Sequence, residues 1–287
     1  MVEQAVIERL QADSLKTALK MCAVDMDVVV HESIDSTNSW SLQQIKAGKD
    51  VPFACFAEEQ LQGRGRRGKH WHMAAHSNIA MSLVWSFSLS RQPLHLLPLS
   101  VALAIVETLE SFNFKQVQIK WPNDVYVRGK KIAGILIETQ PLKNTAKGEY
   151  HVAVVIGVGV NYDMSSIEKN ELQYLPDFTD ILDEIKVQAV GRKIGRALVA
   201  STLLKCIVDV CQNFQENSKQ YLEKYRTQYD YCKEKNVDIL LDNKEVLTGI
   251  VQGVNDEAEL IVMVDGRKRV FNSAEISVQT TKGSVTQ

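Results

Sequence analysis

The sequence predicts an α+β protein in two parts, a larger unit of helices interleaved with short strands and a small all-β unit at the C-terminal end. Three observations predict it. Apolar residues recur at helical spacing in three separate stretches, including Leu99–Leu109 and Leu203–Phe214. Short β-branched runs such as Asp27–His31 and Tyr150–Val160 lie between them. After Tyr231 the helical spacing stops, and five short apolar runs follow, separated by Asp242-Asn243, Asn255-Asp256 and Asp265-Gly266, the pattern of a small antiparallel barrel. The boundary is placed near residue 234, giving units 1–234 and 235–287.

In chain order, residues 1–22 read as helical from the i,i+4 pairs Val6/Leu10 and Leu15/Leu19, with Ser14 as a cap. Asp27–His31 reads as a strand, Trp40–Ala47 as a short helix ended by Gly48, and Phe53–Ala57 as a buried strand. Gln60–His76 is rich in Gly, Arg and His with few aliphatic residues, and is expected to be a mobile loop until a ligand orders it. Ile79–Phe87 returns to strand. Pro98 suits the first turn of a helix through Phe112. Val117–Trp121, Val125–Val127 and Ile132–Glu138 are strands, the last two joined by a turn at Arg128–Gly129. Tyr150–Val160 is the most β-branched strand, 163–185 reads as irregular, and Ile194–Tyr225 as helix with Leu198, Leu203, Ile207, Val210 and Phe214 on its apolar stripe. Pro141–Gly148 reads as an exposed loop.

Composition narrows the function. Hydrophobic residues make up 45% and charged residues 24% of 287, enough for a sizeable core, and the formal net charge of −2 argues against wholesale nucleic-acid affinity. Five scattered cysteines contain no C-x-x-C pair, which excludes a disulfide framework and reads as reduced thiols in a cytoplasm. Glu3, Glu8 and Asp13 argue against a leader, and the most apolar window, Leu94–Val106, is too short to span a bilayer.

Four segments carry chemistry. Gly63–Trp71 (GRGRRGKHW) sets Arg64, Arg66, Arg67 and Lys69 among glycines. Guanidinium forks and close backbone approach suit phosphates and carboxylates, and Trp71 offers a stacking face. The same string reads alternatively as an RNA-gripping or solvated loop. Lys120–Asp124 (KWPND) is followed by Lys131 entering an apolar strand, where an ammonium needs an anion, and by Gly134, a position for close ligand approach. A strand turn with Lys131 snorkelling outward is the plain alternative. Ser36-Thr37-Asn38 follows a strand, where it is also a natural helix cap. Gly157–Asn161 puts two glycines one residue apart at the end of the strongest strand, with no third glycine for a dinucleotide fingerprint. His70, His72 and His76 lack a carboxylate or cysteine at ligand spacing.

Taken in order, Ser36–Asn38, Gln60 with Gly63–Trp71, Lys120–Asp124 with Lys131–Glu138, and Gly157–Asn161 resemble the motif series of the biotin protein ligases, from about Asp35 to the C-terminus. The resemblance implies a mixed, largely antiparallel sheet with flanking helices and an SH3-like C-terminal barrel. It implies ATP-dependent formation of biotinyl-5'-AMP, with Mg²⁺ carried on the phosphates, and transfer of biotin to a lysine of a biotin carboxyl carrier protein. By the same resemblance Ser36, Thr37, Asn38 and Gln60 face the biotin head, with Gly63 and Gly134 allowing close approach. Arg64 and Lys131 lie at the carboxylate and α-phosphate, and Gly65 and Arg66 close over the adenylate. Trp71 lies near the adenine, Asn123 and Asn161 on the nucleotide side, and Asp124 orients Mg²⁺ or a cationic partner.

Some family members carry an N-terminal DNA-binding domain. The stretch before the first strand is shorter than the ~40 residues an independent domain usually needs, so no DNA partner is expected. No membrane partner is expected either. A homodimer is permitted if the strand near Tyr150–Val160 is an exposed edge. The alternatives are a lipoate-type ligase or acyltransferase, a nucleic-acid-binding module using Arg64–Lys69, and a biotin-sensing regulator.

Overall fold

A computed structural model describes residues 8–20, 24–88, 94–142, 151–167, 177–242, 244–273 and 276–280. Seven strands form the main sheet: β1 (Asp27–His31), β2 (Phe53–Ala57), β3 (Ile79–Ser88), β4 (Val117–Lys120), β5 (Asp124–Val127), β6 (Lys130–Pro141) and β7 (His151–Val160). Their order is β1-β2-β3-β7-β6-β5-β4. Only β1 and β2 run parallel; the other five neighbouring pairs are antiparallel. The expected mixed, largely antiparallel sheet is the one observed.

One expectation is corrected here. β7 lies in the middle of the sheet, hydrogen-bonded along its length to β3 on one side and β6 on the other, so it offers no edge for a dimer. Its unbroken apolar run is the mark of a strand buried on both faces. The edges are β1 and β4.

Helices cover both faces. α1 (Ala12–Leu19), α3 (Leu97–Ser111) and α5 (Arg196–Lys224) share the larger apolar cluster with Ala54, Leu83 and Val154. α2 (Thr37–Lys46) covers the other face, where Ile45 meets Phe53, Val84 and Val155. Neighbouring residues of one strand fall in different clusters, as period-2 alternation requires. α3 is buried nearly all round, which marks a helix inside the core rather than on its surface. The helical stretch containing it runs Leu94–Ser111, beyond the expected window, and with Arg196–Tyr229 is long and apolar enough to cross a membrane by length and composition. Both stretches are mostly buried against the protein itself.

Local differences have local causes. α1 starts at Ala12, so Ser14 sits inside the helix rather than capping it. α2 starts three residues earlier than expected, because Thr37 and Asn38 turn their side chains into a buried polar network. A short helix, α4 (Ile181–Val187), stands in the stretch read as irregular; Asp180 caps it, accepting from Asp183 N at 2.8 Å. Leu198 is 49% exposed and is not on the apolar stripe of α5. Residues 1–7 of the expected first helix, Cys22 and most of the Pro141–Gly148 loop lie outside the described residues.

The C-terminal strands β8 (Asn236–Leu241), β9 (Val246–Val254), β10 (Leu260–Val264), β11 (Arg267–Phe271) and β12 (Ile276–Thr280) form a second sheet, order β11-β10-β9-β8-β12, antiparallel throughout. It is fastened to the main sheet at the KWPND corner, where Trp121 Nε1 donates to Ala258 O at 2.8 Å. Val237, Ile239 and Val251 continue the apolar cluster that holds Ile119 and Trp121.

Candidate active site

A cavity of about 1130 Å³ opens over β6, β7 and the KWPND corner, roofed by the glycine- and arginine-rich loop. All four chemistry-bearing segments of the sequence line it, including Ser36, Gln60, Arg66, Lys131 and Asn161. Gly63 alone among the expected site residues is not in the lining. The loop folds back on itself, with Trp71 N donating to Gly63 O at 2.8 Å and Gly65 N to Lys69 O at 2.7 Å.

The foot of the loop is pinned. His76 N donates to Glu58 O at 2.9 Å, and the Glu58 carboxylate forms an ion pair with Arg196 at 2.6 Å, both side chains at most 2% exposed. Leu10 N and the His76 ring complete the contacts of that carboxylate. His76, with no carboxylate at ligand spacing in the sequence, meets two in space, Glu58 and Glu32. Among the described residues no three His, Cys, Asp or Glu side chains gather as a metal site.

One end of the cavity is a chain of hydrogen bonds. Gln60 Oε1 accepts from Thr37 N at 2.9 Å and from Thr37 Oγ1 at 3.2 Å. Ser82 Oγ lies 2.8 Å from Thr37 Oγ1 and 2.6 Å from Asn38 Oδ1. Asn38 Nδ2 donates to Glu138 Oε2 at 2.9 Å, and Arg64 reaches the same oxygen at 2.5 Å. Ser36 holds the N-cap position of α2 by backbone alone; its side chain makes no cap bond and lines the cavity. Neither Ser82 nor Glu138 was assigned a role from sequence. A serine inside the apolar run Ile79–Phe87 was the available signal for Ser82.

The other end is cationic. Lys131 Nζ pairs with Asp124 Oδ1 at 2.7 Å, and Asp124 stands opposite Gly134 in the β5–β6 register. The ammonium also lies 5.5 Å from the centroid of the Trp71 ring. Arg66 Nη1 donates to Asn123 Oδ1 at 3.1 Å, and its other terminal nitrogen to Ser273 O of the C-terminal unit. Burial holds the Arg66 pKa below its ordinary value, with Asp124 opposing. Burial likewise lowers Lys120. Arg67, at φ +56°, pairs with Asp242. Asn123 Nδ2 donates to Ile135 O at 2.7 Å, and Asn161 Nδ2 to Thr179 O at 3.1 Å, so both amides also tie the scaffold together.

The glycines of the lining make room for the protein's own side chains. A Cβ on Gly159 would stand 2.3 Å from Trp71, and one on Gly157 would stand 2.2 Å from Asn38 Oδ1. At Gly134 it would meet Trp71 and Lys131 at 3.1 and 3.2 Å. The close approach expected of a ligand at Gly134 is thus made by Trp71 and Lys131. The Trp71 Nε1 is buried without a hydrogen-bond partner among the described residues.

Residues 30–161 match the biotin/lipoate A/B protein ligase family. The chain is 31% identical over 258 residues to the bifunctional ligase/repressor BirA of Escherichia coli strain K12, covering 89% of this chain and 75% of that one. It is 30% identical over 257 residues to the biotin–[acetyl-CoA-carboxylase] ligase of Mycobacterium tuberculosis, covering 88% of each. The fold is similar to that of the biotin protein ligase from Aquifex aeolicus solved with biotin and ATP, with a TM-score of 0.68, 23% identity, and coverage of 89% of this chain and 99% of that one.

Proposed function

The chain belongs to the biotin protein ligases of the biotin/lipoate A/B protein ligase family, and on that premise we propose that it activates biotin with ATP and transfers it to a carrier-protein lysine. The observation that carries this reading is the single cavity in which a hydrogen-bonding end, closed by the Arg64–Glu138 ion pair, meets a cationic end under an arginine-rich loop. Biotin ligases act on biotin carboxyl carrier proteins; the acceptor here is such a domain of a biotin-dependent carboxylase.

In the first step a biotin carboxylate oxygen attacks the α-phosphorus of ATP. The bond to the bridging oxygen breaks and pyrophosphate leaves. Ser36, Thr37 and Gln60 seat the biotin head, and the Thr37–Ser82–Asn38 chain fixes the rotamers of Thr37 and Gln60. Lys131, oriented by Asp124, meets the charge that gathers on the α-phosphate oxygens, the kind of preorganised donor that most lowers a barrier. Asn123 holds Arg66 over the cavity. In the second step the acceptor amine attacks the acyl carbon, and AMP leaves with the electron pair of the anhydride bond. The basic loop excludes water in between.

For Mg²⁺ the protein's residues do not fit a dedicated site: Asp124 is engaged by Lys131, and among the described residues no cluster of three ligating side chains exists. The ion would arrive on the nucleotide phosphates, and no step is routed through it. Residues 1–234 are assigned to a catalytic unit and 235–287 to a C-terminal unit, and contacts of the loop with Ser273 and Asp242 support a bracing role for the second. The described cysteines are free and buried, which fits a reducing cytoplasm.

The test is pyrophosphate release from MgATP with biotin or with lipoate and no carrier. Biotin-dependent release is expected. Release with lipoate alone would make the protein a lipoate-type ligase, and release with neither would refute acyl-adenylate chemistry.

A further inference from the structure

One wall of the cavity holds two cations that the site described above does not use. Lys120, at the end of β4, places Nζ 3.4 Å from Tyr126 Oη and 5.4 Å from the centroid of that ring. Tyr126 stacks on Tyr231, centroids 4.9 Å apart and planes 28° from parallel. Lys235 Nζ sits 3.2 Å from the centroid of Tyr231. All four residues line the cavity, and the series crosses from the main sheet to the residue before β8.

Neither ammonium has a carboxylate partner among the described residues; each rests on an aromatic ring instead. A ring face attracts a cation by roughly 1–2 kcal/mol without neutralising it, so the full charge stays available to an anion. Three carboxylates stand near: Asp177 lines the same cavity and acts on Tyr126, while Asp124 favours the charged form of Lys120 and Asp230 that of Lys235, in each case by less than burial opposes it. Asp124 is committed to Lys131 at 2.7 Å. The Asp230 carboxylate accepts from Cys232 N and Lys233 N, and burial pushes its pKa up. The Cys232 thiol is pushed up to about 12 by burial, so it is neutral at pH 7. Lys131 and Lys69 add charge of the same sign near Lys120. Burial lowers the pKa of both Lys120 and Lys235, the behaviour of cations short of a counter-ion. Burial also keeps the Tyr126 hydroxyl protonated well above its ordinary range, leaving its proton free to donate while its oxygen accepts from Lys120.

We propose that Lys120, Tyr126, Tyr231 and Lys235 form a polyphosphate subsite that binds the β- and γ-phosphates of the nucleotide and holds pyrophosphate as it leaves. The subsite rests on the ATP-dependent reading above. When the bond between the α-phosphorus and the bridging oxygen breaks, that oxygen keeps the electron pair, and the added negative charge falls on the pyrophosphate facing the two ammonium groups. Lys235 precedes the first strand of the small sheet, so that sheet contributes to the nucleotide site directly as well as by bracing the loop.

The test compares wild type with Lys235→Gln and Lys235→Arg on the full chain. Inorganic pyrophosphate is the probe, titrated as a product inhibitor of biotin-dependent turnover and, by calorimetry, against the nucleotide-free protein. Lys235→Gln is expected to weaken pyrophosphate binding and raise the KM for MgATP, each about tenfold, corresponding to about 1.4 kcal/mol. Biotin affinity stays unchanged, thermal stability falls by no more than the lost ring contact accounts for, and Lys235→Arg recovers most of the loss. Wild-type pyrophosphate inhibition and KM in Lys235→Gln would overturn the subsite and leave the ligase reading intact. Pyrophosphate binding that Lys235→Gln abolishes, in a wild-type protein without biotin-dependent turnover, would support the subsite and overturn the ligase reading.

Discussion

At one end of the cavity Thr37, Asn38, Ser82 and Gln60 join in an unbroken run of neutral hydrogen bonds. At the other, Lys131, Arg66, Lys120 and Lys235 face the same space, and among the described residues Asp124 is the only carboxylate in ion-pair contact with any of them. The first end is satisfied before any ligand arrives, so it contributes a fixed shape. The second is short of negative charge, a condition that costs stability until an anion enters. A molecule with a neutral bicyclic head and a carboxylate, met by a nucleotide triphosphate, has the complementary arrangement. Positioning and charge stabilisation are therefore assigned to different walls, and substitutions at the two ends should fail in different ways.

The largest separation is expected from Lys131→Met. Removing the ammonium should lower the rate of biotin-dependent pyrophosphate release by about 10²–10³-fold, the range seen when one preorganised donor is lost. Biotin affinity measured without ATP should hardly change; a loss confined to biotin binding would erase the division between the ends. Ser82→Ala acts in the opposite sense. It removes a hydroxyl bonded at 2.8 and 2.6 Å and leaves buried partners unsatisfied, at a cost of about 1–3 kcal/mol. Biotin KM should rise at least tenfold in steady-state assays, with the KM for MgATP unchanged. Gly159→Ala joins the ends, because its Cβ would displace Trp71. About 1–3 kcal/mol of stability is at stake in urea melts, with weaker nucleotide binding. The smallest effect is kinetic. Arg66→Gly cuts the loop's ties to Asn123 and Ser273, and should release the acyl-adenylate about tenfold faster, read as biotin label on bystander lysines.

Much of this was legible in the sequence, because the residues that carry chemistry sit in short unbroken strings whose neighbours also contact them in space. GRGRRGKHW and KWPND are loops and corners, where local composition dictates local form. β1, β2 and β3 are placed to within a residue for the same reason. What could not be read lies in contacts distant along the chain. The partner of Glu58 is Arg196, far along on α5, and no local pattern announces it. The purpose of Gly157 and Gly159 was visible only as a close approach; that Asn38 and Trp71 make it depends on how α2 and the loop dock on β7. Whether Tyr150–Val160 is an edge or an interior strand could not be read, because periodicity reports burial on faces and says nothing about neighbours in the sheet.

The most direct measurement is to incubate the protein with biotin and MgATP without any carrier, separate it from small molecules, and identify by mass spectrometry what remains bound. One equivalent of biotinyl-5'-AMP, retained by wild type and transferred to a carrier lysine on mixing, is the predicted result. Recovery of biotin and ATP unreacted would contradict the claim that the two ends of this cavity act on one reaction.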